Sequence, residues 1–162
     1  GQGYILATPL QLAMAYSGLA NKGVIYQPQF IQPEDEKSFE PKKVAEIQLS
    51  DNKAWEKMEQ ALVDVISARN GTAHKVFDAN SAVIAGKTGT AQIKSILPGK
   101  EYDAIRENPA LRDHALFVGY GPVKDPKLVV AVIIENGESG SEVAAPIVKS
   151  AINFYTGGFD AE

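Results

Sequence analysis

Ala82-Val-Ile-Ala-Gly-Lys-Thr-Gly-Thr-Ala-Gln92 is the stretch on which the reading of this chain turns. Val83 and Ile84 are β-branched and predict a short strand running directly into Lys87-Thr88-Gly89-Thr90. A positive charge, two hydroxyls and a glycine at one strand edge make a site for an anionic peptide end. Gly86-Lys87-Thr88 also ends a phosphate-binding loop motif, but that motif needs a glycine where Ser81 stands and a glycine-rich turn after it. Residues 82 to 85 suit a strand and cannot curl round a phosphate, and Thr-Gly-Thr does not open a good helix. The residues favour the strand.

Composition narrows the classes that remain. A chain of 162 residues, 44% hydrophobic and 22% charged, matches one globular domain able to bury a core. The net charge of -4 and the lack of any basic run interleaved with aromatics argue against a nucleic-acid partner. With no cysteine, disulfide frameworks and thiolate metal sites are excluded. The longest apolar run, Leu128 to Ile134, is too short to cross a bilayer, and the N-terminus lacks the basic region and apolar core of a signal peptide. Any anchor or export signal is therefore expected outside residues 1–162.

Patterning along the chain predicts helices at both ends of a group of strands. Thr8 is suited to cap a helix with Pro9 at its first position, and Leu12, Ala13, Tyr16, Leu19 and Ala20 follow helical spacing up to Asn21-Lys-Gly23. Val24 to Ile31 reads as an extended edge segment containing Pro28, and Pro33 to Pro41 as a solvated loop. A second helix is expected from about Asn52 to Ala68, with Trp55, Met58, Leu62, Val65 and Ile66 on one side. Beyond a polar stretch come strands at Ala115–Tyr120 and Leu128–Ile134, close enough for an antiparallel hairpin. Glu142 to Tyr155 reads as a closing helix with Val143, Ile147, Val148, Ala151 and Ile152 inward. The fold class is α+β, an antiparallel sheet flanked by helices. Tyr4, Tyr16, Trp55 and Phe117 read as core or half-core aromatics.

Four blocks now carry a resemblance: Gly1-Gln-Gly-Tyr4 followed by Ala7-Thr-Pro-Leu-Gln-Leu12, Asn70-Gly-Thr-Ala-His-Lys75, Lys87-Thr-Gly-Thr-Ala-Gln92, and Leu111-Arg-Asp-His114. Lys-Thr-Gly is the third signature of serine penicillin-recognising enzymes. In their order and spacing these blocks resemble the C-terminal half of the transpeptidase domain of class B penicillin-binding proteins, most closely the rod-elongation type. The resemblance spans nearly the whole of residues 1–162, read as the C-terminal part of a single transpeptidase domain with the penicillin-binding protein/serine β-lactamase-like fold.

The resemblance implies a peptidoglycan D,D-transpeptidase, in which an activated serine attacks a terminal D-Ala-D-Ala carbonyl and passes the acyl group to a neighbouring amine. It implies that Lys87 supplies charge for the substrate carboxylate and supports the proton relay, while Thr88 and Thr90 donate hydroxyl hydrogen bonds. Gly89 lets the substrate backbone approach, and the Thr90 N–H completes an oxyanion hole with the N–H of the serine. No cofactor is implied. The partners implied are the stem peptide, β-lactams, a preceding N-terminal part of the same domain, a SEDS-family glycosyltransferase and elongation-complex proteins, at the periplasmic face of the bacterial inner membrane. A β-lactam-sensing domain would share the Lys-Thr-Gly strand but only bind and signal, and a D,D-carboxypeptidase or serine β-lactamase would hydrolyse the acyl-enzyme.

Ser50-Asp-Asn-Lys53 satisfies both Ser-x-x-Lys and Ser-x-Asn. One serine cannot be nucleophile and proton relay in two loops, and Ser50 or Asp51 is better placed to cap the helix that bears Trp55. In the resembled family both motifs precede the Gly-Gln-Gly-Tyr block, so the nucleophile is expected upstream of Gly1. His74 and His114, the only histidines, have no paired ligand at metal spacing. Arg112 and Asp113 read either as a structural ion pair or as groove-shaping residues beside Lys87.

Overall fold

The computed structural model describes residues 5–31, 39–51, 53–77, 83–93 and 108–157. Helix α1 (Pro9–Ala20) begins with a reciprocal cap: Gln11 N donates to Thr8 Oγ1 at 3.2 Å and Thr8 N to Gln11 Oε1 at 2.9 Å. It stops at Asn21-Lys-Gly23, where Lys22 and Gly23 take φ values of 51° and 102°. The extended segment expected up to Ile31 closes after three residues, as β1 (Val24–Tyr26), so Pro28 lies outside it. Its antiparallel partner β2 (Lys43–Glu46) was not foreseen, because four exposed residues show no alternation to read. Most of the expected 33–41 loop lies outside the described residues, as does Tyr4.

Helix α2 (Lys53–Ser67) follows. Asp51 Oδ1 accepts from Lys53 N at 2.9 Å, so Asp51 takes up a first-turn donor just ahead of the helix. Strand β3 (Ala85–Ala91) starts three residues later than the sequence implies, which places Lys87-Thr-Gly inside the strand rather than at its end. A one-turn 3-10 segment (Pro109–Leu111) leads into β4 (His114–Gly121), and β5 (Leu128–Ile134) returns antiparallel to it. A π turn (Gly140–Ala144) then opens α3 (Ala145–Tyr155).

The sheet runs β3-β4-β5, antiparallel throughout, with Lys87 opposite Val118 and Thr88 opposite Phe117. Directly opposed residues share a face. Thr88, Phe117 and Val132 thus face one side, where Phe117, Ile84, Ala144, Ala145, Val148 and Ile152 form a cluster with α3. Ala85, Tyr120 and Val129 face the other, where Tyr16, Leu19 and Ala20 of α1 pack. α2 contributes to both layers, Leu62 to the second and Ile66 to the first. Phe117 is the buried core aromatic expected, Tyr16 and Trp55 are half-buried.

Three inward assignments change. Met58 is 47% exposed, and α2 buries only Leu62 and Ile66 fully. Val148 and Ile152 are buried as expected and Ala144 and Ala145 join them, whereas Val143 and Ile147 are exposed. The buried positions 144, 145, 148 and 152 keep α-helical spacing, so the inward stripe is narrower than expected and leaves Ile147 outside it.

Burial in the α1 layer, with smaller contributions from Glu59 and Tyr16, pushes the Tyr120 phenol up from 10.0 to about 12. The folded chain then keeps a proton that the unfolded chain releases. The associated stability is complete below pH 10 and lost as pH rises through 12. The melting temperature should fall over this alkaline range, and Tyr120→Phe should make the fall shallower; differential scanning calorimetry against pH checks both.

Candidate functional site

The site is built on the edge of β3 that β4 does not cover. Among the described strands β3 pairs only with β4, so its other edge is open. Lys87 springs from the face that carries Val118, whereas Thr88 and Thr90 belong to the face that carries Phe117 and Ala115. Yet Lys87 Nζ donates to Thr88 O at 3.0 Å and to Thr88 Oγ1 at 3.3 Å. An exposed lysine reaches both by curling round the open edge. Antiparallel strands turn the N–H and C=O groups of successive residues to opposite sides, so residues two apart share a side. The Thr88 carbonyl marks the open side, and the Thr90 N–H shares it.

The array is cationic. Among the described residues no carboxylate pairs with Lys87, and Thr88, Gly89 and Thr90 are half-buried beside it. One ammonium, two hydroxyls and outward backbone N–H groups can grip a carboxylate while pairing with an extended peptide. A cavity of about 420 Å³ lies elsewhere, between α1, Tyr26–Pro28 and the start of β5, and includes none of these groups.

A second hydroxyl joins Thr88: Thr72 Oγ1 lies 3.1 Å from Thr88 Oγ1. Its block, Asn70 to Lys75, was legible as a resemblance, but no spacing rule signals a contact spanning 16 residues. On the far side, the π turn presses on the site. A β-carbon at Gly140 would run into the Leu116 carbonyl and come within 2.9 Å of Gly89 O. The turn is anchored by Arg112 Nε at 3.7 Å from Glu138 Oε2 and by Glu138 N donating to Asp113 O at 2.9 Å. Arg112 and Asp113 thus both hold the β5–α3 connection, with Asp113 buried. His114 Nδ1 accepts from Asn136 N at 2.9 Å, a structural role at a strand start. His74 is half-buried in the turn after α2 and its N donates to Gly71 O.

Ser50 is not brought to this edge. It precedes α2, whose 15 residues span about 22 Å at the usual rise per residue, and Thr72 follows the opposite end of that helix.

A helical-layered antiparallel sheet with Lys-Thr-Gly on its open edge is the arrangement of a penicillin-binding transpeptidase domain, and the penicillin binding protein transpeptidase domain matches residues 1–153. The chain belongs to that family. It is 39% identical over 160 residues to the peptidoglycan D,D-transpeptidase MrdA of Haemophilus influenzae, covering 96% of this chain and 24% of that protein. The structure of Pseudomonas aeruginosa PBP2 in complex with WCK 5153 aligns at TM-score 0.73 with 40% identity, over 96% of this chain and 32% of that one. Helicobacter pylori PBP2, in a complex with MreC, aligns at TM-score 0.72 with 28% identity, over 98% and 26%. The chain thus spans about a quarter of the curated relative's length.

Gly140→Ala should destabilise the protein by about 1–3 kcal/mol, as overpacking against backbone does. Thermal melting measures the loss.

Proposed function

We propose that residues 1–162 form the C-terminal part of a single transpeptidase domain, and that the complete protein is a peptidoglycan D,D-transpeptidase acting through a serine acyl-enzyme. The observation that carries this is the open β3 edge, where Lys87, Thr88 and Thr90 converge without a described carboxylate partner. Lys87 draws the C-terminal carboxylate of a D-Ala-D-Ala stem peptide, and Thr88 and Thr90 donate hydroxyl hydrogen bonds to it. Gly89 lets the peptide backbone lie close to the strand. The Thr90 N–H, on the open side, forms one half of an oxyanion hole whose other half is the N–H of the serine.

That serine and the Ser-x-Asn relay belong to the part of the domain preceding residue 1. Ser50, at the far end of α2, is a helix-entry residue. Exposed apolar side chains support a larger domain: Phe30 is 86% exposed and Ile31 84%. β-Lactams acylate the same serine because their carboxylate occupies the same edge. The reaction takes place at the periplasmic face of the inner membrane, with the anchor outside residues 1–162. An elongation-complex partner of the MreC kind is drawn from the Helicobacter pylori neighbour, whose structure is a complex with MreC, and a SEDS-family glycosyltransferase from the sequence resemblance. Transfer is favoured over hydrolysis or sensing because the similarity to D,D-transpeptidases extends over 96% of the chain.

In the complete enzyme, Lys87→Ala should slow acylation by a penicillin roughly tenfold to a hundredfold, the range of a hydrogen bond to a charged group. Melting should change little, because Lys87 is exposed. Lys87→Arg should recover part of the rate, keeping charge but not ammonium geometry. Wild-type acylation by Lys87→Ala would remove the site assignment, and a collapse in melting temperature would make Lys87 structural.

A further inference from the structure

Thr72 stands at the open edge without a part in the chemistry above. Its hydroxyl meets that of Thr88 at 3.1 Å, and the turn that carries it is fixed from two sides. Gly71 N donates to Ala68 O at 2.7 Å, Ala73 N to Val65 O at 3.0 Å and His74 N to Gly71 O at 3.1 Å. A β-carbon on Gly71 would run into the Asp64 and Val65 carbonyls, so only glycine lets the turn seat on the end of α2. Ala73 is 1% exposed within the Phe117 cluster, and Lys149 Nζ donates from α3 to Val76 O at 3.1 Å. The Thr72 side chain, by contrast, is exposed toward solvent beside Thr88.

Either hydroxyl can be the donor of this contact, and counting protons shows what each direction leaves free. A hydroxyl has one hydrogen and two lone pairs, and an ammonium can only donate. Lys87 Nζ therefore occupies one lone pair of Thr88 Oγ1. Were Thr88 to donate to Thr72, its only hydrogen would be spent inside the protein. With Thr72 as donor both lone pairs of Thr88 are filled, and its hydrogen is left to point into the groove.

We propose that Thr72 is a positioning residue that donates to Thr88 Oγ1 and so commits the Thr88 hydroxyl to donate to the carboxylate of a bound peptide or penicillin. The assignment rests on the transpeptidase reading of the β3 edge. It predicts an effect confined to ligands that carry the anion.

The test uses the complete enzyme and the second-order rate constants for acylation by benzylpenicillin and by its methyl ester, which lacks the anion. Thr72→Val should slow benzylpenicillin about two- to tenfold, the range of one neutral hydrogen bond, and leave the ester rate unchanged. Thr72→Ser, which keeps the hydroxyl, should restore most of the loss. Equal slowing of acid and ester by Thr72→Val, or no rescue by serine, would make Thr72 structural and overturn the proposal. Wild-type rates in Thr72→Val while Lys87→Ala is slow would overturn it too, leaving the site itself intact. Wild-type rates in Lys87→Ala would instead remove the site reading on which Thr72 depends.

Discussion

Everything proposed for this chain depends on one-sided pairing of β3. Its ladder with β4 fixes which of Lys87, Thr88, Gly89 and Thr90 faces which layer, and leaves the opposite backbone edge open. A slip of one residue would exchange the faces of Lys87 and Thr88 and carry the hydroxyls away from α3. The register is held by burial: Phe117 beside Thr88 and Tyr120 beside Ala85 sit in separate layers, almost wholly buried. Neither can move to the other face without being forced into the packed layer already filled there.

The layers also position what borders the edge. α2 feeds Leu62 into one layer and Ile66 into the other, so the turn at its end delivers Thr72 to Thr88. The π turn approaches the Leu116 and Gly89 carbonyls so closely that only Gly140 fits. Arg112, Asp113, His114, Asn136 and Glu138 tie the connection before it to the start of β4. Polar groups that the sequence offered as groove candidates thereby stiffen the loop next to the groove. The groups proposed to bind the anion are few, and their order in space comes from packing elsewhere in the fold.

Legibility in the sequence followed the strength of local signals. β5 was readable to the residue because seven apolar residues between turns have no other outlet, and α1 because Thr8 and Pro9 mark its start and Asn21-Lys-Gly23 its stop. The motif that defines the edge was also legible. β2 was not, since its four residues are all exposed, and the inward face of α3 was legible in part: Val148 and Ile152 are buried, whereas Ile147 is not. Thr72 was visible only as part of a resembling block; its contact with Thr88 exists only once α2 and β3 are packed together. The three-residue delay of β3 has a similar origin: Val83 has strand propensity, but its carbonyl is taken by Val123 N at 3.0 Å rather than by a ladder.

Membership of the penicillin-binding transpeptidase family and coverage of about a quarter of a curated relative together frame the central claim, that this chain supplies the carboxylate-binding edge to a serine held elsewhere in the same domain. The direct measurement is reconstitution: residues 1–162 and the separately produced preceding part of the domain are incubated, apart and together, with a labelled penicillin, and adducts are located by intact mass. The expected result is no adduct on residues 1–162 under any condition, and an adduct on the preceding part that forms far faster when residues 1–162 are present. Labelling of Ser50, or acylation of the preceding part at an undiminished rate without this chain, would contradict it.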